Sequence, residues 1–253
     1  CLRLCALPSM IPALFFSSND LKSYAEELAQ KLGASITTDQ DILSKPHLEL
    51  AESGLSFFHP DARSTNKFRI DFESGSMGWR LKRANHEKLI KKALGKSDHP
   101  LKILDCTAGM LQDSMLFLSL GHEVTAVEQS KILFALLEDG IKRNNKQSLF
   151  KNLHLERADA CSFAREANAY DVIYFDPMYP PTKKSALSSG QLEYIAKILE
   201  IESITNNSQE DFEVLQLMPV KKLIVKRPIK ANAFADGINY QVSGKTTRFD
   251  VYI

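Results

Sequence analysis

No two cysteines in this 253-residue chain stand in a CxxC spacing, and Cys1, Cys5, Cys106 and Cys161 are too few and too scattered to staple a chain of this length. A disulfide framework is excluded, and reduced thiols are expected. An excess of either charge is also lacking, since Lys plus Arg total 32 against 31 for Asp plus Glu, a formal +1. Global electrostatics therefore select no polyanionic partner, and any nucleic-acid contact has to come from local patches. No apolar run approaches the length of a membrane span. His47, His59, His86, His99, His122 and His154 show no metal-ligand spacing, so no metal is expected. Residues 1–16 are apolar but broken by Pro8 and Pro12, and they lead directly into a helical pattern. They are read as part of the fold rather than as a secretory signal, which makes the expected location cytoplasmic. A hydrophobic content of 44% is enough for a sizeable core.

Along the chain, Pro12 to Phe16 reads as a strand. Ser17-Ser18-Asn19-Asp20 offers helix caps, and Leu21, Tyr24, Ala25, Leu28 and Leu32 mark one helical face closed by Gly33. Short strand-like runs follow at 48–51, 55–58 and 68–72, with Ser53-Gly54 as a hairpin signal. Residues 1–75 are thus read as a small α+β subdomain, and Ser74 to Gly78 as a flexible joint. Arg80, Lys82, Arg83, His86, Lys88, Lys91 and Lys92 then crowd one segment, predicted as a helix closed by Gly95. It is either a solvated face or a phosphate-tracking surface. From residue 101 strands and helices alternate, which predicts a parallel α/β sheet over 76–253. The strands are 101–105, 123–128, 153–157, 170–175 and 222–226, with helices at 112–120, 131–144, 191–201 and 211–217 between them. Residues 238–253 read as a terminal hairpin.

The chemistry-bearing residues fall at the strand ends. Asp105 closes the first parallel strand and enters the turn Cys106-Thr107-Ala108-Gly109. Glu128 closes the next, about 20 residues after the glycine, the spacing at which a Rossmann-like fold places a ribose-binding acid. The dinucleotide pattern GxGxxG is missing, and one glycine makes a poor pyrophosphate cradle. A nucleoside without phosphates, S-adenosylmethionine, suits such a loop better. Asp159 follows the third strand, and Asp176-Pro177-Met178-Tyr179-Pro180 follows the fourth, a buried-strand pattern delivering an acid, a proline and an aromatic into one loop. Singly, Glu128 could be a surface acid and Asp159 a helix cap.

This order of motifs resembles class I methyltransferases, and within them the J family of bacterial small-subunit ribosomal RNA guanine-N2 methyltransferases. The resemblance spans roughly residues 68–253 and is carried by Asp71-Phe72 with Gly75 and Met77, by Asp105 to Met110 with Asp113, and by Glu128. It continues through Asp176 to Pro180, Lys184-Ser185-Ala186-Leu187, Val225-Lys226-Arg227-Pro228 and Arg248 to Tyr252. It implies a Rossmann-like α/β fold with S-adenosylmethionine as cofactor, held by Asp105, Gly109, Gln112, Asp113, Glu128, Gln129, Asp159, Ala160 and Asp176. The implied partner is small-subunit (16S) ribosomal RNA or the 30S particle. Two departures stand out. Gly-Leu-Gly-Arg-Asp, usual in the family's first loop, is Gly109-Met110-Leu111-Gln112-Asp113 here. The family's glycine-rich basic run corresponds to Leu81-Lys82-Arg83-Ala84-Asn85-His86-Glu87.

For such a reaction Asp176 and the Pro177 carbonyl would accept the N–H bonds of a planar amine, and Tyr179 would stack on the base. Arg80, Arg83, Lys183, Lys184, Lys226, Arg227, Lys245 and Arg248 are candidate phosphate contacts. Methylation of another amine, such as adenine N6, and a cofactor-binding RNA module without activity stay open as alternatives.

Overall fold

The computed structural model describes residues 11–62, 67–73, 78, 86–144, 147–163, 169–177, 190–205 and 207–253. Its regular elements begin with β1 (Leu14–Phe16), α1 (Lys22–Leu32), β2 (Ile36–Thr37), β3 (His47–Ala51), β4 (Gly54–Phe58) and α2 (Lys88–Leu94). Next come β5 (Lys102–Asp105), α3 (Gln112–Ser119), β6 (Glu123–Val127), α4 (Lys131–Arg143), β7 (Leu153–Glu156) and α5 (Ala160–Phe163). The remainder are β8 (Val172–Phe175), α6 (Gly190–Ile201), α7 (Ser208–Gln216), β9 (Leu223–Pro228), β10 (Tyr240–Ser243) and β11 (Thr247–Tyr252). No helix among the described residues is long and apolar enough to cross a membrane.

The chain divides into two compact units. One holds the described residues of 72–129, 145–179 and 206–253, and the other those of 11–71, 130–144 and 190–205. The division expected from the sequence, at 75/76, is contiguous, whereas these units are not.

The larger unit is built on a seven-stranded sheet of order β10-β11-β9-β8-β5-β6-β7. Strands β9, β8, β5, β6 and β7 are parallel, and β11 and β10 extend the β9 edge in antiparallel fashion. Chain order leaves β5 in one direction through β6 and β7, then returns to β8 on the other side of β5. That reversal lies outside the carboxyl ends of β5 and β8, the place where open α/β sheets have their ligand-binding crevice. Strand β8 is buried at all four positions, which explains its unbroken apolar sequence. Below the crevice, Leu104, Ile173, Phe175, Val225 and Tyr252 pack with Phe212 and Leu215 of α7 in one cluster. Tyr240 donates its hydroxyl to the Ala93 carbonyl at 3.0 Å, tying the hairpin to α2. The expected helix in the basic segment begins at Lys88, after Glu87 at φ of −73° and ψ of 68°, and residues 79–85 lie outside the described residues.

The smaller unit contains a four-stranded sheet, β2-β1-β3-β4, with β1 parallel to both neighbours and β3–β4 an antiparallel hairpin. Helix α1 buries Ala25, Leu28, Ala29 and Leu32 and ends at Gly33, whose φ of 74° supplies the left-handed stop. Helix α4 packs on β4. Residues 68–72, predicted as a strand, alternate in burial as a strand would. They make only an isolated bridge, Phe68 with Phe57. A longer ladder does not form because the Ile70 carbonyl accepts instead from Arg143 Nη2 at 2.8 Å. The same arginine donates from Nε to Asp139 at 2.7 Å and lies against Gly54, which closes the β3–β4 turn with φ of 109°. A Cβ at Gly54 would overlap Arg143 Nε and stand 2.8 Å from Asp139 Oδ2. Gly54→Ala is therefore expected to lower stability by about 1–3 kcal/mol, read as a reduced urea midpoint with an unchanged slope.

Candidate active site at the strand ends

The crevice begins with a carboxylate that has little access to water. Asp105 is 2% exposed at the end of β5. It accepts hydrogen bonds from the Thr107 amide at 3.0 Å and the Ser114 hydroxyl at 2.5 Å. Burial pushes its pKa up to about 6, against the opposing pull of these two donors. Thr107 also reaches across to the next strand end, where its Oγ1 accepts from the Asp176 amide at 2.8 Å. The ends of β5 and β8 are thereby latched at fixed spacing.

The loop after β5 has its amide hydrogens engaged internally. Thr107 N–H goes to Asp105, Ala108 N–H to the Val127 carbonyl at 3.1 Å, Gly109 N–H to Glu128 Oε2 at 3.1 Å, and Leu111 N–H to the Ala108 carbonyl at 2.7 Å. A phosphate cradle needs such groups pointing outward. These four do not point outward, in keeping with the reading against a dinucleotide. Gly109 adopts φ of 52°, and Leu111, standing where the family usually has its second glycine, adopts φ of 58° all the same. The left-handed turn is thus kept at a cost of about 1–2 kcal/mol, while the Leu111 side chain is fully buried.

Asp113, in the first turn of α3, faces inward. Its Oδ2 accepts from Tyr174 at 2.6 Å and from Lys226 Nζ at 2.6 Å. Lys226 also donates to Asp176 Oδ2 at 2.7 Å. Asp176 keeps partial access to solvent, with its side chain 30% exposed. Burial nevertheless raises its pKa to about 6, Lys226 opposing and Asp113 adding to the rise. On Lys226 burial acts downward, yet Asp113 and Asp176 outweigh it and hold the ammonium well above its ordinary value. Tyr174 is pushed far up by burial and by the Asp113 charge.

The residues singled out from sequence divide accordingly. Asp105, Thr107, Gly109, Asp113, Glu128 and Asp176 come together, with Gln112 half-buried and Pro177 buried beside them in the chain. Glu128 is 7% exposed at the end of β6. Gln129 is exposed next to it. Asp159 caps α5, its Oδ1 accepting from the Ser162 amide at 3.0 Å and hydroxyl at 3.1 Å, and Ala160 packs on the core cluster. Tyr179, Lys183, Lys184, Arg80 and Arg83 lie outside the described residues.

Three of the candidate phosphate contacts have partners inside the fold. Arg248 is 7% exposed, pairs with both Asp250 oxygens at 2.8 and 3.0 Å, and donates to the carbonyls of Ile229 and Ala231 at 2.9 and 2.7 Å. Arg227 is buried against Phe234, its guanidinium carbon 3.8 Å from the ring centroid, and donates to the Asn232 carbonyl. Lys226 is engaged with two carboxylates. Their internal hydrogen bonds and ion pairs tie the sheet edge and the site together. Ser114 and Tyr174 were missed as site residues. Their signal is a hydroxyl in an otherwise apolar buried run, which needs a polar partner.

Asp105 has a value of about 6 in the fold against an ordinary 3.8. Between those values the folded chain holds more protons than the unfolded one, so stability falls as pH rises through the window. The Ser114 hydrogen bond favours the charged form and limits that fall. Ser114→Ala is expected to cost about 1–3 kcal/mol above pH 6 and less at pH 5, read from denaturation curves at the two pH values.

The donor set fits an S-adenosyl nucleoside: Glu128 at the end of β6 for ribose hydroxyls, a loop without a phosphate cradle, and carboxylates that favour a cationic sulfonium. Comparison with known proteins agrees. A family model described as "Putative SAM-dependent methyltransferase" matches residues 28–253. Ribosomal RNA small subunit methyltransferase J of Bdellovibrio bacteriovorus is 35% identical over 191 residues, 73% of either chain. The protein of that name from Nitrosococcus oceani is 32% identical over 251 residues, 94% of this chain and 96% of its own. Among solved structures, a SAM-dependent methyltransferase from Neisseria gonorrhoeae superposes with a TM-score of 0.69 over 95% of both chains at 23% identity, which shows the fold. Matched across nearly its whole length by relatives above 30% identity, this chain belongs to the ribosomal RNA small subunit methyltransferase J family of SAM-dependent methyltransferases.

Proposed function

We propose that the chain methylates the exocyclic N2 amine of a guanosine in small-subunit (16S) ribosomal RNA, acting in the cytoplasm on the RNA or the 30S particle. The observation that carries this reading is the setting of Asp176. Its amide is held by Thr107 and its Oδ2 by Lys226, while Oδ1 takes no hydrogen bond from any described residue. A carboxylate fixed by one oxygen at the ligand side of the sheet is placed to accept an amine N–H with the other.

Glu128 would hold the cofactor's ribose, and Asp105 and Asp176 would favour its positive charge. When bound, S-adenosylmethionine supplies a methyl on a sulfonium that departs as the neutral thioether, while the amine lone pair takes the carbon and the amine then sheds one proton to water. The guanine amine is a weak nucleophile because its lone pair is delocalised into the ring. The protein therefore contributes chiefly orientation. Asp176 Oδ1 and the Pro177 carbonyl would align the two N–H bonds, proline fixing the turn. Tyr179, by its place in the motif, would stack on the base once it leaves its own stack. Arg80, Arg83, Lys183 and Lys184 remain the proposed phosphate contacts. The altered first loop does not favour an inactive module, because Leu111 keeps the left-handed turn that the family's glycine would make.

Radiolabelled methyl transfer to 16S RNA and to 30S particles from a strain lacking its own enzyme of this family tests the proposal. N2-methylguanosine is the expected product on nucleoside analysis, and N6-methyladenosine would reassign the acceptor. Asp176→Ala is expected to reduce turnover about a hundredfold or more with the melting temperature maintained. Glu128→Ala should weaken S-adenosylmethionine about 10- to 100-fold by calorimetry, without a comparable change in kcat at saturating cofactor.

A further inference from the structure

Lys226 stands at the carboxyl end of β9, where three buried apolar residues, Leu223, Ile224 and Val225, give way to a charge. A lysine there could reach solvent along its stem. Instead its ammonium lies between Asp113 of α3 and Asp176 of the β8 loop, at 2.6 and 2.7 Å. We infer that Lys226 is a positioning residue of the methyl-transfer site: by bridging Asp113 and Asp176 it fixes the Asp176 carboxylate through Oδ2 and leaves Oδ1 directed to the substrate amine. This rests on the proposed role of Asp176 and adds a residue that touches no reacting atom.

The groups facing Asp176 make a cation necessary. Asp113 approaches from α3 and raises the proton affinity of Asp176, while Asp105 of β5 and Tyr174 of its own strand stand near it with their own affinities raised first by burial. Thr107 contributes only a hydroxyl, which accepts from the Asp176 amide. The neighbouring guanidiniums do not help, since Arg227 donates to the Asn232 carbonyl and Arg248 to Asp250. Lys226 is thus the cation among the described residues that is bonded to Asp176. A compact ammonium with donors in several directions can serve two carboxylates on different elements, a geometry that a planar guanidinium fork does not match. The consequence is chemical. With its charge compensated, Asp176 is ionised at neutral pH and accepts an N–H; protonated, it would set an O–H donor against an amine whose N–H groups also donate and whose lone pair is delocalised into the ring.

Removing the cation moves Asp176 in a defined direction. In Lys226→Met the charged carboxylate loses its compensating partner, so its titration midpoint rises. In Asp113→Asn a repelling charge disappears while the lysine stays, so the midpoint falls. Carbon-13 labelling of aspartate carboxyls and NMR titration of the intact protein follow Asp176 without any need for turnover. The expected result is an upward shift of about one pH unit or more for Lys226→Met and a downward shift for Asp113→Asn. The acid limb of the kcat profile should move with each, while KM for 16S RNA changes little. Asp113→Asn creates no unpaired buried charge, so it carries the test should Lys226→Met not fold. An Asp176 midpoint unmoved in the variants, or shifted the same way in both, overturns the inference, as does an acid limb that stays in place while the midpoint moves. A wild-type protein that transfers no methyl to RNA, yet shows the opposed shifts, would instead reject the proposed reaction and leave the hold of Lys226 on Asp176 standing.

Discussion

Three carboxylates gathered at neighbouring strand ends repel one another, and the larger unit is arranged around containing that repulsion. Asp105, Asp113 and Asp176 converge where β5, α3 and β8 meet. Each is contained by a different means: a serine hydroxyl and a backbone amide for Asp105, a buried tyrosine and a shared lysine for Asp113, and for Asp176 the same lysine among the described residues. Breaking a buried pair from one side leaves its partner uncompensated at a cost of several kcal/mol. The neutralising groups come from α3, β8 and β9, so the charge pattern also holds the register of these elements at the mouth of the crevice. Stability and site geometry share one set of contacts.

The same crowding shapes what the site can accept. A loop whose amides already serve Asp105, Val127, Glu128 and Ala108 has little to offer a diphosphate. An excess of carboxylates over ammonium groups at the β5–β8 mouth favours a cationic group on the cofactor over a diphosphate. Cofactor class is therefore set by where backbone hydrogens are engaged as much as by which side chains line the crevice.

Much of this was legible in the sequence for a simple reason: parallel strands are buried on both faces, so apolar runs ended by acids mark strand ends without ambiguity. The order Asp105, Glu128, Asp159, Asp176 marks the carboxyl ends of the parallel strands β5, β6, β7 and β8. Partnerships across the sheet were not legible. Lys226, Arg227 and Arg248 carry the charge of phosphate-binding residues, and the two carboxylates that engage Lys226 lie 113 and 50 positions away, where nothing local announces them. Residues 68–72 failed as a strand for the same reason, since the group that captures the Ile70 carbonyl lies 73 positions away. Helix α4 follows a strand of the larger sheet yet groups with the smaller unit, a choice made by burial of its apolar face and hidden from chain order.

Leu111 combines two properties that seldom coincide, a left-handed backbone and a side chain without solvent contact. Glycine would relieve the backbone but leave a hole where an isobutyl group fills the interior, at a cost of about 2–5 kcal/mol for losing a large aliphatic side chain. Other L-residues would keep the strain and fit the space less well. A glycine at this position would therefore need larger side chains around it to fill the space that leucine now occupies.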